Sequence, residues 1–349
     1  MQFTHDWLPQ RVRFATGGAA DAVGEEVRRL GATRAMVIAS DGSRAEPVLG
    51  GVPVTVLHTE VAMHVPVDVA ERARTVAADH DVDVLVSVGG GSTTGLAKAV
   101  ALTTGIPIVA VPTTYAGSEA TDVWGLTEGG RKTTGVDSRV LPRAIVYDAS
   151  LILALPVPTS VSSALNAVAH CVDSMWAPRT DPVDQALALE GIRALTLGLP
   201  RVVEEPMEVA GREQTLYGAY LAAVAFASAG SGLHHKICHV LGGMFGVPHA
   251  ETHAVVLPHV LALNAPAVPG LDQRMATAFD ARSALSGLLA LRDEVDAPRA
   301  LRDLGLDEHD VPKAVGPILE AAPPSNPVPV TAENIEALLH AAWSGKEPG

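Results

Sequence analysis

The chain has 349 residues and a formal net charge of −14, enough length for two domains with a substantial core and no basic surface for a nucleic-acid backbone. Its two cysteines, Cys171 and Cys238, are too few for a disulfide framework and read as small buried residues in a reducing cytoplasm. There is no run of about 18 to 20 uncharged apolar residues that would span a membrane, and the opening Met-Gln-Phe-Thr-His-Asp-Trp lacks the basic-then-apolar order of an export signal. The expectation is a cytoplasmic protein with neither a nucleic-acid nor a membrane partner.

Up to about residue 150, short β-branched runs alternate with alanine-rich amphipathic stretches. Residues 34–40, 82–88, 106–111 and 144–147 predict strands, and residues 69–80 and 94–104 predict the helices between them. This is the βαβ alternation of a parallel sheet. The strand at 82–88 runs straight into Gly89-Gly90-Gly91, with a helix expected from Ser92 or Thr93. Glycines let a backbone approach a phosphate closely, and the helix start offers free N–H groups and a positive dipole end. The same three glycines also suit a plain tight turn. Beyond Ser150 the strand signal fades. Alanine and leucine periodicity over residues 160–198 and 213–229, then further pieces to Trp343, predict a helical domain. The expected division is 1–150 and 151–349.

Two segments of the second half carry chemistry. In the first, Asn166 and His170 lie four apart in an alanine-rich run, so a helix puts them on one face. An aspartate at 166 would complete a carboxylate-plus-histidine set for a transition metal. Asparagine removes that charge, and the pair can equally be a satisfied amide and a core histidine. The second segment, from Ser231 to Leu257, holds five of the thirteen histidines: His234, His235, His239, His249 and His253, with Lys236 among them. His235 and His239 are four apart, as are His249 and His253. Imidazoles this dense beside Gly-Gly and Pro point to an active-site wall.

The phrases Gly-Leu-His-His-Lys-Ile-Cys-His-Val-Leu-Gly-Gly (232–243), Pro-His-Ala-Glu-Thr-His-Ala-Val-Val-Leu-Pro-His (248–259), Pro-Thr-Thr-Tyr-Ala-Gly-Ser-Glu (112–119), Lys-Thr-Thr-Gly (132–135) and Arg-Val-Leu-Pro-Arg (139–143) resemble the iron-containing (group III) alcohol dehydrogenase family, and within it the maleylacetate reductase branch. The resemblance covers nearly the whole chain. It implies a Rossmann-like α/β nucleotide-binding domain followed by an all-α domain, the fold shared with dehydroquinate synthase. It implies a homodimer using NADH or NADPH. The family's metal set of one aspartate and three histidines falls on Asn166, His170, His235 and His249, and its extra histidine on His239. The asparagine is typical of the branch, whose members look metal-independent, so no metal is expected. Ser40 takes the place that discriminates the cofactor ribose; with Arg44 nearby it implies NADH with NADPH accepted. Gly89, Gly90, Gly91, Ser92, Thr93, Thr113, Thr114 and Ser118 are the implied cofactor contacts.

The implied reaction converts a small anionic keto acid, maleylacetate, to 3-oxoadipate in aromatic-compound catabolism. Hydride added to the alkene carbon β to the ketone puts charge on the ketone oxygen, and the neighbouring carbon then takes a proton. His235 and His249 are the expected oxyanion donors, His239 or His170 the proton source, and Lys236 a further catalytic cation. Asn166, Tyr115, His234, His253, Lys132, Arg139 and Arg143 are the expected substrate contacts; a surface or dimer contact is the alternative for the arginines. Asp122 stands where the branch usually has proline, Val136 where it has arginine and Ser138 where it has proline. Those departures leave open another substrate, a metal-dependent alcohol dehydrogenase, or a non-redox role.

Overall fold

The computed structural model describes residues 2–129 and 131–348, without the side chains of Arg131 and Lys132. The chain forms two compact units: residues 7–155, and residues 2–6 together with 156–348. The division therefore falls a few residues beyond the expected 150, and the first residues join the helical unit. His5 Nδ1 meets Asp181 Oδ2 at 2.8 Å and holds that segment there.

The first unit runs β1 (Arg11–Phe14), α1 (Ala19–Arg29), β2 (Ala35–Ile38), α2 (Gly42–Leu49), β3 (Val54–His58), α3 (Val67–Asp79), β4 (Val84–Gly89), α4 (Gly91–Thr104), β5 (Ile108–Pro112), β6 (Val123–Glu128), β7 (Arg131–Val136) and β8 (Ala144–Tyr147). Six strands form a parallel sheet in the order β1-β8-β5-β4-β2-β3. Every residue of β2, β4, β5 and β8 is buried, as their unbroken apolar runs require of a sheet covered on both faces. Strand alternation sorts the side chains. Val37, Val86, Val88 and Val109 pack with Val23 and Val27 of α1, whereas Met36, Ile38, Leu85 and Ile108 pack with Leu96 and Val100 of α4. From β2 the chain steps outward to β3 and then returns to the other side at β4, so the topological switch point lies between β2 and β4. In such sheets ligands bind outside the carboxyl ends of the strands at that point.

The second unit comprises α5 (Val157–Ser174), α6 (Pro182–Glu204), α7 (Val209–Ala229), α8 (Leu233–Phe245), α9 (His249–Asn264), α10 (Pro269–Ala278), α11 (Ala284–Glu294), α12 (Val311–Ala321) and α13 (Ala332–Ser344). The periodic run at 160–198 is two helices. Asp181 accepts from the N–H groups of Val183 and Asp184 and Pro182 occupies the first helical position, so a new helix starts there. Gly246, at φ 69°, ends α8, and its left-handed conformation turns the chain into α9. The core around Leu233, Ile237, Val256, Val260, Ile318 and Leu339 fixes α8 and α9 against α12 and α13. No single described helix is long and apolar enough to cross a membrane.

Candidate active site

The carboxyl ends of β2 and β4 carry the expected cofactor residues. Gly89 pairs with Pro112 across β4 and β5, and the Thr113 N–H donates to the Gly89 carbonyl at 3.0 Å. A Cβ on Gly90 would lie 2.9 Å from Thr114 Cγ2, so the turn packs directly on the Thr113–Thr114 segment. A Cβ on Gly91 would meet only Ala116 Cβ, at 3.7 Å. α4 begins at Gly91, one residue before the earliest expected start, and no side chain caps it. Ser92 and Thr93 sit in its first turn. Ser118 opens a short 3-10 helix beyond Thr114. The Thr113 hydroxyl oxygen is buried without a hydrogen-bond partner. Free helix N–H groups, a glycine backbone and an unpaired hydroxyl suit a pyrophosphate. Ser40, exposed, lies just beyond β2 on the other flank of the switch point, and Asp41 beside it caps α2 through the Ser43 N–H at 2.9 Å.

The histidine wall is built on α5, α8 and α9 of the other unit. His170 stacks on His235 with centroids 5.0 Å apart. His235 meets His253 at 4.7 Å, His253 meets His249 at 4.5 Å, and His249 faces His239 at 6.0 Å. Phe226 covers His170 and His235 at 4.6 and 4.2 Å. His170, His234, His235 and His253 are buried; His239 and His249 are exposed. Burial holds His170 down to about 4 and His234 to about 3, aided by neighbouring histidines, and keeps His235 and His253 well below the ordinary imidazole value. The buried imidazoles are therefore neutral near pH 7.

Asp173 organises this wall, and sequence reasoning missed it. It lies on α5 seven residues after Asn166 and three after His170, on the same helix face. Its Oδ2 accepts from the Gly232 N–H at 2.8 Å, the His235 N–H at 3.3 Å and His235 Nδ1 at 2.7 Å. Gly232 is the N-cap of α8, and a Cβ there would lie 2.3 Å from Asp173 Oδ1, so only glycine admits the carboxylate. Burial pushes Asp173 up to about 7, opposed by backbone N–H groups and by Lys236. Because Oδ2 already accepts backbone hydrogens, it accepts the His235 ring proton as well. The His235 proton then sits on Nδ1, leaving Nε2 as a lone pair, buried and unpartnered. The available signal was that Asp173 is the one charged residue in α5.

The other expected substrate residues fall into three groups. His234 Nε2 and His253 Nδ1 share a proton at 2.8 Å, so these rings are turned into each other; His234 Nδ1 and His253 Nε2 have no partner. Asn166 Oδ1 and His170 Nδ1 are also buried without partners. Lys236 is half-buried on α8. In the first unit, Tyr115 is fully buried and Arg143 exposed. The Arg139 guanidinium grips Asp137, with Nε to Oδ1 at 2.9 Å and Nη2 to Oδ2 at 2.6 Å, so a substrate carboxylate there would have to displace Asp137. The Lys132 side chain lies outside the described residues.

A doubly wound sheet with a phosphate-suited turn and a helical unit with a histidine wall define a nucleotide-dependent dehydrogenase architecture. Residues 9–149 match the family model for iron-containing alcohol dehydrogenase, and residues 160–343 match that for the Fe-containing alcohol dehydrogenase family, C-terminal. The chain belongs to the iron-containing alcohol dehydrogenase family and is an oxidoreductase. Maleylacetate reductase of Pseudomonas knackmussii is 43% identical over 354 residues, covering 100% of this chain and 99% of that protein. The crystal structure of an iron-containing alcohol dehydrogenase from Corynebacterium glutamicum has a TM-score of 0.98 at 56% identity, covering 99% of this chain and 98% of that one. Maleylacetate reductase from Agrobacterium tumefaciens gives 0.94 at 39% identity, covering 100% of both.

The family's name implies iron, and the residues at the matching positions do not fit it. Position 166 supplies an amide oxygen in place of a carboxylate, so no negative charge offsets the cation. Among the described residues, the buried histidines whose nitrogens gather within 4.8 Å are His234, His235 and His253, and two of these already share a proton.

Proposed function

We propose that this enzyme reduces the conjugated C=C bond of maleylacetate, or a closely similar unsaturated keto acid, to 3-oxoadipate with NADH or NADPH, without a metal, in the catabolism of aromatic compounds. The observation that carries this reading is the full-length likeness to maleylacetate reductases, 43% identity with the P. knackmussii enzyme. The buried imidazoles of the wall, neutral and each with an unpartnered nitrogen, support it.

When bound, the reduced nicotinamide supplies the hydride to the alkene carbon β to the ketone. The protein's task is to hold the negative charge that moves onto the ketone oxygen and then to deliver one proton to the α-carbon. The exposed His249 and His239 can exchange protons with solvent, so His249 serves as donor to the oxygen and His239 as proton source. His235 is fixed differently. With Nδ1–H bound to Asp173, a neutral His235 offers Nε2 as an acceptor, and it donates to the oxygen only after taking up a proton there. Lys236 adds positive charge on the same helix. The hydroxyls and amides around Gly89–Gly91 and Thr113–Thr114 hold the cofactor pyrophosphate. A homodimer in the cytoplasm accords with the family.

The test is direct. Maleylacetate and NADH are added to the purified protein with a chelator, and loss of the reduced-nicotinamide absorbance is followed. Sustained turnover supports the reading. Turnover only after Fe²⁺ or Zn²⁺ is restored, or oxidation of simple alcohols in its place, overturns it.

A further inference from the structure

Lys98 lies in α4, seven residues after Gly91, and is fully buried. Its ammonium sits inside a ring of oxygens: the Ser118 carbonyl at 2.7 Å, the Thr121 carbonyl at 2.8 Å, the Thr121 hydroxyl at 3.0 Å and the Val123 carbonyl at 2.8 Å. Three N–H donors therefore serve four acceptors. All four belong to the stretch from Ser118 to Val123, the first residue of β6, which continues the segment that carries Thr113 and Thr114. That segment has one anchor at its start, the Thr113 N–H on the Gly89 carbonyl. Lys98 is the charged anchor at its far end, beside the Gln10 Nε2 bond to the Glu119 carbonyl at 2.7 Å and the Asp137 N–H on the Asp122 carbonyl at 3.0 Å. Buried carbonyls facing one another repel unless a cation or donor stands between them.

We propose that Lys98 is a positioning residue for cofactor binding: a tethered ammonium that serves as a built-in monovalent cation and holds the 113–123 segment against the glycine turn. This rests on the reading that the turn and this segment bind NAD(P)H. The acidic neighbours agree with a charged group, although burial raises the pKa of Glu119 itself. Glu119, itself bonded to the Tyr147 hydroxyl at 2.8 Å, and Asp122 both act on Lys98 to favour its ammonium, against the burial that lowers its pKa to about 7. Asp122 is one of the positions at which the chain departs from its branch, and it stands beside this charge.

The geometry makes the idea testable by chemical rescue. Lys98→Ala keeps Cβ and removes three methylenes and the amine, the dimensions of propylammonium. The NADH dissociation constant, by fluorescence, and the melting temperature are measured for wild type, Lys98→Ala and Lys98→Met, with and without propylammonium, with sodium as control. Lys98→Ala is expected to bind NADH at least about tenfold more weakly, as for loss of a charged hydrogen-bond donor, and propylammonium to restore most of that. Lys98→Met, whose apolar chain fills the space, is expected to stay weak. If propylammonium raises the melting temperature of Lys98→Ala and leaves NADH binding unchanged, Lys98 is structural only and the proposal falls. Should neither Lys98 variant fold, Thr121→Val is compared with Thr121→Ser. The proposal requires weaker NADH binding in the first and near-normal binding in the second, and equal binding in both overturns it. A folded wild type that binds neither NADH nor NADPH removes the cofactor reading itself, an outcome separate from loss confined to the variants.

Discussion

Asp173 and His235 share a 2.7 Å hydrogen bond between Oδ2 and Nδ1, with both side chains buried. The bond sets the tautomer of a ring whose other nitrogen faces no protein partner. Asp173→Ala should disturb it: with the carboxylate gone, nothing holds the ring proton on Nδ1. The expected result is a fall in kcat of about 10² or more, the usual scale for a misdirected proton-transfer group, with the KM for NADH unchanged. Nitrogen-15 shifts of His235 should report the released tautomer. Wild-type kcat in this variant would show that the dyad has no part in turnover.

Gly90 and Gly91 can be told apart. Gly90→Val collides with Thr114 and should lower stability as well as cofactor binding. Gly91→Ala meets only Ala116 at 3.7 Å, so the fold should tolerate it. If the phosphate lies against this turn, Gly91→Ala raises the KM for NADH by about tenfold at an unchanged melting temperature. An unaltered KM places the phosphate elsewhere.

Asn166→Asp restores a carboxylate at the one charged position of the family's metal set. It should increase retention of Fe²⁺ or Zn²⁺, read as bound metal per chain after dialysis. Wild-type protein should lose loosely held metal and keep its activity in chelator. Equal metal retention by both proteins would contradict this.

His249→Ala should reduce kcat by about 10² to 10³, since charge on the ketone oxygen builds only during the reaction, and His239→Ala by about 10² or more through loss of the proton source. Arg143→Ala should raise KM if that exposed arginine binds a carboxylate, because that charge is present throughout. Arg139→Ala is expected to do less, given its engagement with Asp137. Histidine variants that keep kcat and lose only affinity would reassign the wall to substrate binding.

Stability should fall on acidification. Burial lowers His170 and His259 to about 4 and His234 to about 3, below the ordinary 6.5. Above 6.5 neither the folded nor the unfolded state binds these protons, and the full stability is present. Between 6.5 and about 4 the unfolded chain takes up protons that the folded one refuses, so stability is lost as pH drops, by up to about 1.4 kcal/mol per pH unit for each histidine. Thermal melts over that range should show the slope, and His259→Phe should make it shallower. A flat melting temperature from pH 6.5 to 4 would mean these rings titrate normally.

Much of this site could be read in the chain because its chemistry is locally dense. Five histidines in one stretch and three glycines after a buried strand announce themselves without any fold. Asp173 did not, since a single carboxylate on an apolar helix gains meaning only when Gly232 and His235 come back to it from 59 and 62 residues away. Tyr115, expected among the substrate contacts, is fully buried, a placement its family phrase does not reveal. β3 and β7 were missed for a physical reason. One is a half-exposed edge strand, and the other, Arg-Lys-Thr-Thr-Gly-Val, pairs only with β6 and carries almost no apolar signal.

The His5–Asp181 bond has a consequence for the order of assembly. It joins positions 176 residues apart, and everything from residue 7 to 155 is made between them. During synthesis the sheet unit is complete, switch point and glycine turn included, before α6 exists. The chain's first residues wait for a partner that emerges only after the midpoint. A nascent chain just long enough to bring residue 155 clear of the ribosome should already take up nucleotide, while the segment carrying His5 is still unclaimed.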